Sequence, residues 1–115
     1  MVERASRLYG LVVRFKLAPG HEEAFDRLVA VTVAQIAALE PETLVYVTHR
    51  DASSPDTRVF YELYADEAAF AAHESAPHTG RFLAERAAHL AAAPEVWRVS
   101  PGAGVVRPGV ALGDG

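Results

Sequence analysis

Apolar and polar positions alternate along Leu8–Lys16 (LYGLVVRFK), with Tyr9, Leu11, Val13 and Phe15 on one side and Leu8 and Val12 on the other. A period of two with apolar residues on both sides predicts a strand that is covered on both faces. Leu17-Ala-Pro-Gly20 reads as a turn. From His21 to about Leu39 the period lengthens: Phe25, Leu28, Val29, Thr32, Val33, Ile36 and Leu39 recur at helical spacing. Glu22 and Glu23 suit the positive first turn of that helix, and Glu40-Pro41-Glu42 ends it. Thr43–Arg50 predicts a second strand, Asp51–Thr57 a polar hairpin loop, and Arg58–Ala65 a third strand rich in aromatic and β-branched residues. Asp66 stands where a helix N-cap is wanted. The Ala-rich helix that follows carries Phe70 and His73 three apart, on one side, and Pro77 stops it. Thr79 is read as the cap of a further helix, beginning around Gly80 and running to about Ala92, with Phe82, Leu83, Ala87 and Leu90 as its apolar side. Glu95–Ser100 is a fourth strand.

The order β-α-β-β-α-β, with the second helix split at Pro77, predicts an α+β, ferredoxin-like fold: an antiparallel four-stranded sheet with helices on one face. Helices on one face leave the other uncovered, yet the strands are apolar on both. Tyr61, Leu63, Leu44 and Tyr46 are expected on that bare face, and a second copy of the chain, sheet against sheet, is the simple cover. The chain divides into an N-terminal arm (1–7), one domain (8–100) and a Gly/Pro-rich tail (101–115) read as extended.

Composition narrows the function. The formal net charge is −4, with ten arginines and a single lysine, Lys16, so nucleic acid is not an expected partner. The absence of cysteine excludes disulfides, thiolate metal sites and a Cys nucleophile. No signal peptide or membrane-length apolar run is visible, and a cytoplasmic location is expected.

Period-two geometry puts Phe60, Glu62 and Tyr64 on one side of the third strand, facing Phe70, His73 and Phe82. Together they predict a cavity for a flat aromatic ligand, with His49 and His78 as further lining and Trp97 belonging either to the cavity or to the dimer core. Glu62, Tyr64 and His73 are the candidate catalytic residues. A carboxylate in such a site could act as general base toward a phenol or enol. The competing reading for Glu62 is an ion pair with Arg14, Arg81 or Arg86, and for His73 a core histidine bonded to a backbone carbonyl. His73 and His78 fail as a zinc-binding helical pair, because the spacing is five and Pro77 lies between them. With no thiolates, no helical His pair at proper spacing and no Gly-rich phosphate loop, no metal, flavin or haem is expected; without a Ser nucleophile elbow, no hydrolase is suggested.

Tyr9–Phe15 (YGLVVRF), Pro19–Phe25 (PGHEEAF), Leu44-Val-Tyr46, Tyr61–His73 (YELYADEAAFAAH) and Pro77-His78 resemble the antibiotic biosynthesis monooxygenase domain of the dimeric α+β barrel superfamily, over about Leu8–Val99. The resemblance implies a homodimer sharing a barrel and a ligand cavity between sheet and helices. It also implies a monooxygenase that oxidises a small phenolic, quinol-like compound with molecular oxygen and no cofactor. The same family holds haem-degrading oxygenases and isomerases of small signalling molecules, and a non-catalytic ligand-binding or accessory dimer is the alternative. Quinone-forming members use an Asn and a Trp on the third strand. Phe60 and Tyr64 stand at those positions here, and the chain has no Asn at all. The axial His of the haem-degrading members is not matched in register by His78.

Overall fold

The computed structural model describes residues 7–110 and 112–113; residues 1–6 of the N-terminal arm expected over 1–7 lie outside them. The elements are β1 (Tyr9–Lys16), α1 (Glu22–Leu39), β2 (Thr43–Asp51), β3 (Ser54–Tyr64), α2 (Glu67–Ser75), α3 (Pro77–Arg86), a 3-10 turn (Ala87–His89) and β4 (Glu95–Val99). They form one antiparallel sheet in the order β2-β3-β1-β4. This is the ferredoxin-like α+β arrangement read from the sequence.

The strand register sorts the side chains. Opposite Tyr9, Leu11, Val13 and Phe15 of β1 stand Tyr64, Glu62, Phe60 and Arg58 of β3. These residues face the helices. Phe15 lies 4.7 Å from Phe60 and 5.3 Å from Phe25 between ring centroids, so β1, β3 and α1 meet in an aromatic core. From α1, Phe25, Leu28, Val29, Thr32 and Ile36 are buried against it. Gly20 turns the chain into α1 with φ +81, a conformation that favours glycine. Gly10 is small for a different reason: a Cβ there would come 3.0 Å from the Val99 carbonyl oxygen of β4.

Several boundaries differ from the sequence reading. β3 begins at Ser54, and the hairpin is a tight turn in which Asp51 accepts from both the backbone and the hydroxyl of Ser53 at 2.9 Å. Pro55 is tolerated because β1 pairs with β3 only from Thr57 onward. Arg58 is held in the strand by Asp26 of α1, which accepts from its Nε at 2.9 Å. The split after α2 is confirmed, but α3 starts at Pro77, its first-turn proline, with Ala76 as N-cap. Thr79 is therefore not a cap; it is buried in the first turn. The helix also ends at Arg86 rather than near Ala92, because the chain turns there to bring Leu90 beside Leu17 and enter β4. Residues 101–110 form no helix or strand and are exposed.

β2 carries a register shift between Thr43 and Val45. Beyond it Tyr46 pairs with Glu62 and so lies on the helix side, while Val45 and Val47 pair with Leu63 and Tyr61. Tyr46 thus leaves the set expected on the bare face. That face instead presents Val12, Val45, Val47, Val59, Tyr61, Leu63 and Trp97.

Asp66 caps α2 as expected, its Oδ1 accepting from the Ala69 amide at 2.8 Å. Replacing it with Ala should lower stability by about 1 kcal/mol, read as a drop in thermal midpoint without loss of helical circular dichroism. An unchanged midpoint would show that the cap adds nothing to this helix.

Candidate functional site

Between the helix-side face of the sheet and the α2–α3 pair lies a cavity of about 160 Å³. Its apolar wall includes Leu11, Val13 and Phe15 of β1, Phe70 of α2 and Phe82 of α3; its polar groups are Tyr46, Glu62, His73, Glu74, Thr79 and Arg86. The short α2 is directed back onto the sheet immediately after β3. Phe70 accordingly stacks on Tyr9, with centroids 4.6 Å apart and rings 17° from parallel.

Glu62 is 6% exposed. Its Oε1 accepts a hydrogen bond from the Tyr64 hydroxyl at 2.5 Å. None of the three arginines considered as its partner forms an ion pair with it: Arg14 pairs with Glu95, Arg81 with Glu85, and the Arg86 guanidinium lies over the Phe15 and Phe82 rings, 5.4 and 5.6 Å from their centroids. Burial holds the Glu62 carboxyl above the usual carboxylate range, against the Tyr64 hydrogen bond and the nearby His73, which pull it down. The Tyr64 phenol is pushed far up, by burial first and by Glu62 second, so it stays a hydrogen-bond donor. Burial also pushes Tyr46 well above the ordinary phenol value and Arg86 below the ordinary guanidinium value. Among the described residues the Tyr46 hydroxyl makes no hydrogen bond, which leaves it available to a ligand.

His73 lines the cavity but is not bonded to a backbone carbonyl. Its Nδ1 donates to Glu40 at 2.9 and 3.0 Å, so only Nε2 is open to the cavity. His78 does not reach the cavity; its Nε2 donates to the other side of the same Glu40 carboxylate. The Thr43 hydroxyl donates to Glu40 as well, at 2.6 Å. Burial raises the Glu40 pKa, but the hydrogen bonds from Thr43, His78 and His73 together hold it below the usual carboxylate value. The argument against a helical zinc pair rested on the spacing of five and on the break at Pro77. That break at Ala76–Pro77 does not separate the two side chains: it brings His78 to the carboxylate that His73 already holds.

The structure therefore brings together Glu62, His73, Phe70 and Phe82 at the cavity and places Tyr64 directly behind it, bonded to Glu62. Phe60 belongs to the core, 1% exposed and packed on Phe15, Phe25 and Phe82. His49 and Trp97 are corrections. They pair with Val59 and Val12, which puts both on the bare face of the sheet, away from the cavity. The residue of β4 that lines the cavity is Val96. Sequence reasoning missed Tyr46 and Glu40. Tyr46 is hidden by the β2 register shift, and Glu40 looked only like a helix end.

The family model for antibiotic biosynthesis monooxygenase matches residues 8–85. No curated protein matches the chain. Among solved structures, a Pseudomonas aeruginosa protein is 27% identical, with 86% of this chain and 98% of that one covered at a TM-score of 0.76. A Nitrosomonas europaea protein of unknown function is 25% identical, with 91% and 99% covered and a TM-score of 0.76. A Caulobacter crescentus protein named as a candidate antibiotic biosynthesis monooxygenase is 22% identical, with 89% and 96% covered and a TM-score of 0.81; it shares the fold.

Proposed function

The chain belongs to the antibiotic biosynthesis monooxygenase family, and on that premise we propose that it is a cofactor-independent monooxygenase of a small, single-ring phenol, acting as a homodimer. The observation that carries this reading is Glu62: a buried carboxylate that forms no ion pair among the described residues, its pKa raised above the ordinary carboxylate value by burial, in a cavity walled by aromatic rings. A cavity of about 160 Å³ suits one substituted ring, since an engineered space of about 150 Å³ holds benzene.

In the proposed reaction Glu62 takes the phenolic proton. The phenolate, its charge offset by Arg86 and the Tyr46 hydroxyl, passes electrons to molecular oxygen. One oxygen atom replaces the ring hydrogen opposite the phenol oxygen, giving a quinone, and the other leaves as water. Phenol plus dioxygen gives quinone plus water, so the substrate supplies every electron and no outside reductant enters.

The test is oxygen uptake with a panel of single-ring phenols, with the quinone followed by absorbance. One dioxygen consumed per quinone formed, above the uncatalysed rate, is expected. Ligand binding without oxygen uptake would select the second reading, a non-catalytic small-ligand binder. That reading draws on Phe60 and Tyr64, which by the family resemblance match the positions of the Asn and Trp of quinone-forming members and are 1% and 0% exposed, spent on the core and on Glu62.

A further inference from the structure

Three chain segments end at one point. Glu40 closes α1, His73 lies in the last turn of α2 and His78 in the first turn of α3. Nδ1 of His73, Nε2 of His78 and the Glu40 carboxylate all lie within 4.8 Å of one another. Both histidines are buried, at 5% and 6% exposure. We propose that Glu40, His73 and His78 form a binding site for one divalent transition-metal ion of the zinc class, which clips the end of α1 to the α2–α3 break.

The donor chemistry selects the ion. Two imidazole nitrogens and one carboxylate oxygen suit zinc and its first-row neighbours, and disfavour magnesium and calcium, which take oxygen. Ligands at about 2.1 Å from a tetrahedral zinc stand roughly 3.4 Å apart. Nδ1 of His73 is already 2.9 Å and 3.0 Å from the two Glu40 oxygens, so a small withdrawal of the carboxylate opens the position. The Thr43 hydroxyl bonded to Glu40 fixes the carboxylate's orientation, the support that metal-binding carboxylates need.

A second observation supplies the way in. The cluster opens on a cleft of about 270 Å³ that also carries Glu42 and Asp66 and, among the described residues, is lined by no Lys or Arg. Its field draws cations, and its space admits a water as fourth ligand. His73 lines both the cleft and the cavity, but the proposed base Glu62 lines only the cavity and none of the three ligands takes part in the proposed oxidation, so either idea can fail alone.

The experiment uses the full chain, stripped with chelator and titrated with cobalt(II) and zinc(II) as the metals alone. Expected are one equivalent of cobalt per chain with the visible bands of a four-coordinate site, their loss on adding zinc, and a thermal midpoint that rises with zinc concentration. His78→Gln keeps a donor for Glu40 while removing the imidazole ligand. It should retain the fold by circular dichroism and weaken zinc at least 100-fold. Absence of saturable binding overturns the proposal. So does binding that His78→Gln leaves unchanged, which would point instead to the His21–His89 pair, whose Nδ1 atoms are 3.0 Å apart.

Discussion

Replacing Glu62 with Gln is expected to lower turnover of a single-ring phenol by roughly two to four powers of ten, the usual worth of a positioned base, while the fold survives. Survival follows from geometry. A glutamine has the same shape, and its amide oxygen can still accept from the Tyr64 hydroxyl, which now sits 2.5 Å from Glu62. The pH dependence has a definite sign. Burial raises the folded-state pKa of Glu62, so the folded chain holds its proton more tightly than the unfolded one. Stability from this group is therefore lost as pH rises from the ordinary carboxylate value through the raised one. Activity should rise across the upper part of the same window, because the base must be ionised. Glu62→Gln removes both slopes. Its stability at neutral pH should equal or exceed that of the parent chain, and a variant that keeps full activity would remove Glu62 from the mechanism.

The strand carrying this carboxylate was legible in the sequence because alternation along Phe60, Glu62 and Tyr64 meets a helix whose start is fixed by Asp66. Local chemistry determines each of those steps. The parts that were not legible depend on register between strands. Tyr46 reaches the cavity only because β2 slips by one residue between Thr43 and Val45. One such slip moves every later side chain of the strand to the opposite face, and no local pattern in TLVYVTHR marks it. The same shift carries His49 away. Trp97 was ambiguous because β4 is short and its face is set by pairing with Val12 across the sheet. Glu40 was missed for another reason: its partners lie 33 and 38 residues away, and only the kink at Pro77 joins them.

The bare face of the sheet should hold two copies together, and a single charge at its centre should separate them. Val12, Val45, Val47, Val59, Tyr61, Leu63 and Trp97 lie on the side opposite the helices, and Trp97 is 47% exposed. Tyr61 sits on β3, with β1 on one side and β2 on the other, so its ring is central to the patch. In a twofold interface each copy contributes the same patch, and one substitution enters twice. A stable association should bury at least about 1,000 Å² in total. Tyr61→Asp would then bury two carboxylates in a largely apolar layer, where Arg14 on the same face is already paired with Glu95, at a cost of several kcal/mol per ion. Each 1.4 kcal/mol is roughly tenfold in dissociation constant, so a dimer stable at micromolar concentration should dissociate. Light scattering is expected to give twice the chain mass for the parent and the chain mass for Tyr61→Asp. Tyr46→Asp is the control. Its side chain lies on the helix side, so it should disturb the cavity and leave association intact. A parent chain that is monomeric at micromolar concentration would leave the apolar face without its proposed partner. A dimer that Tyr46→Asp splits and Tyr61→Asp does not would place the contact on the wrong side of the sheet.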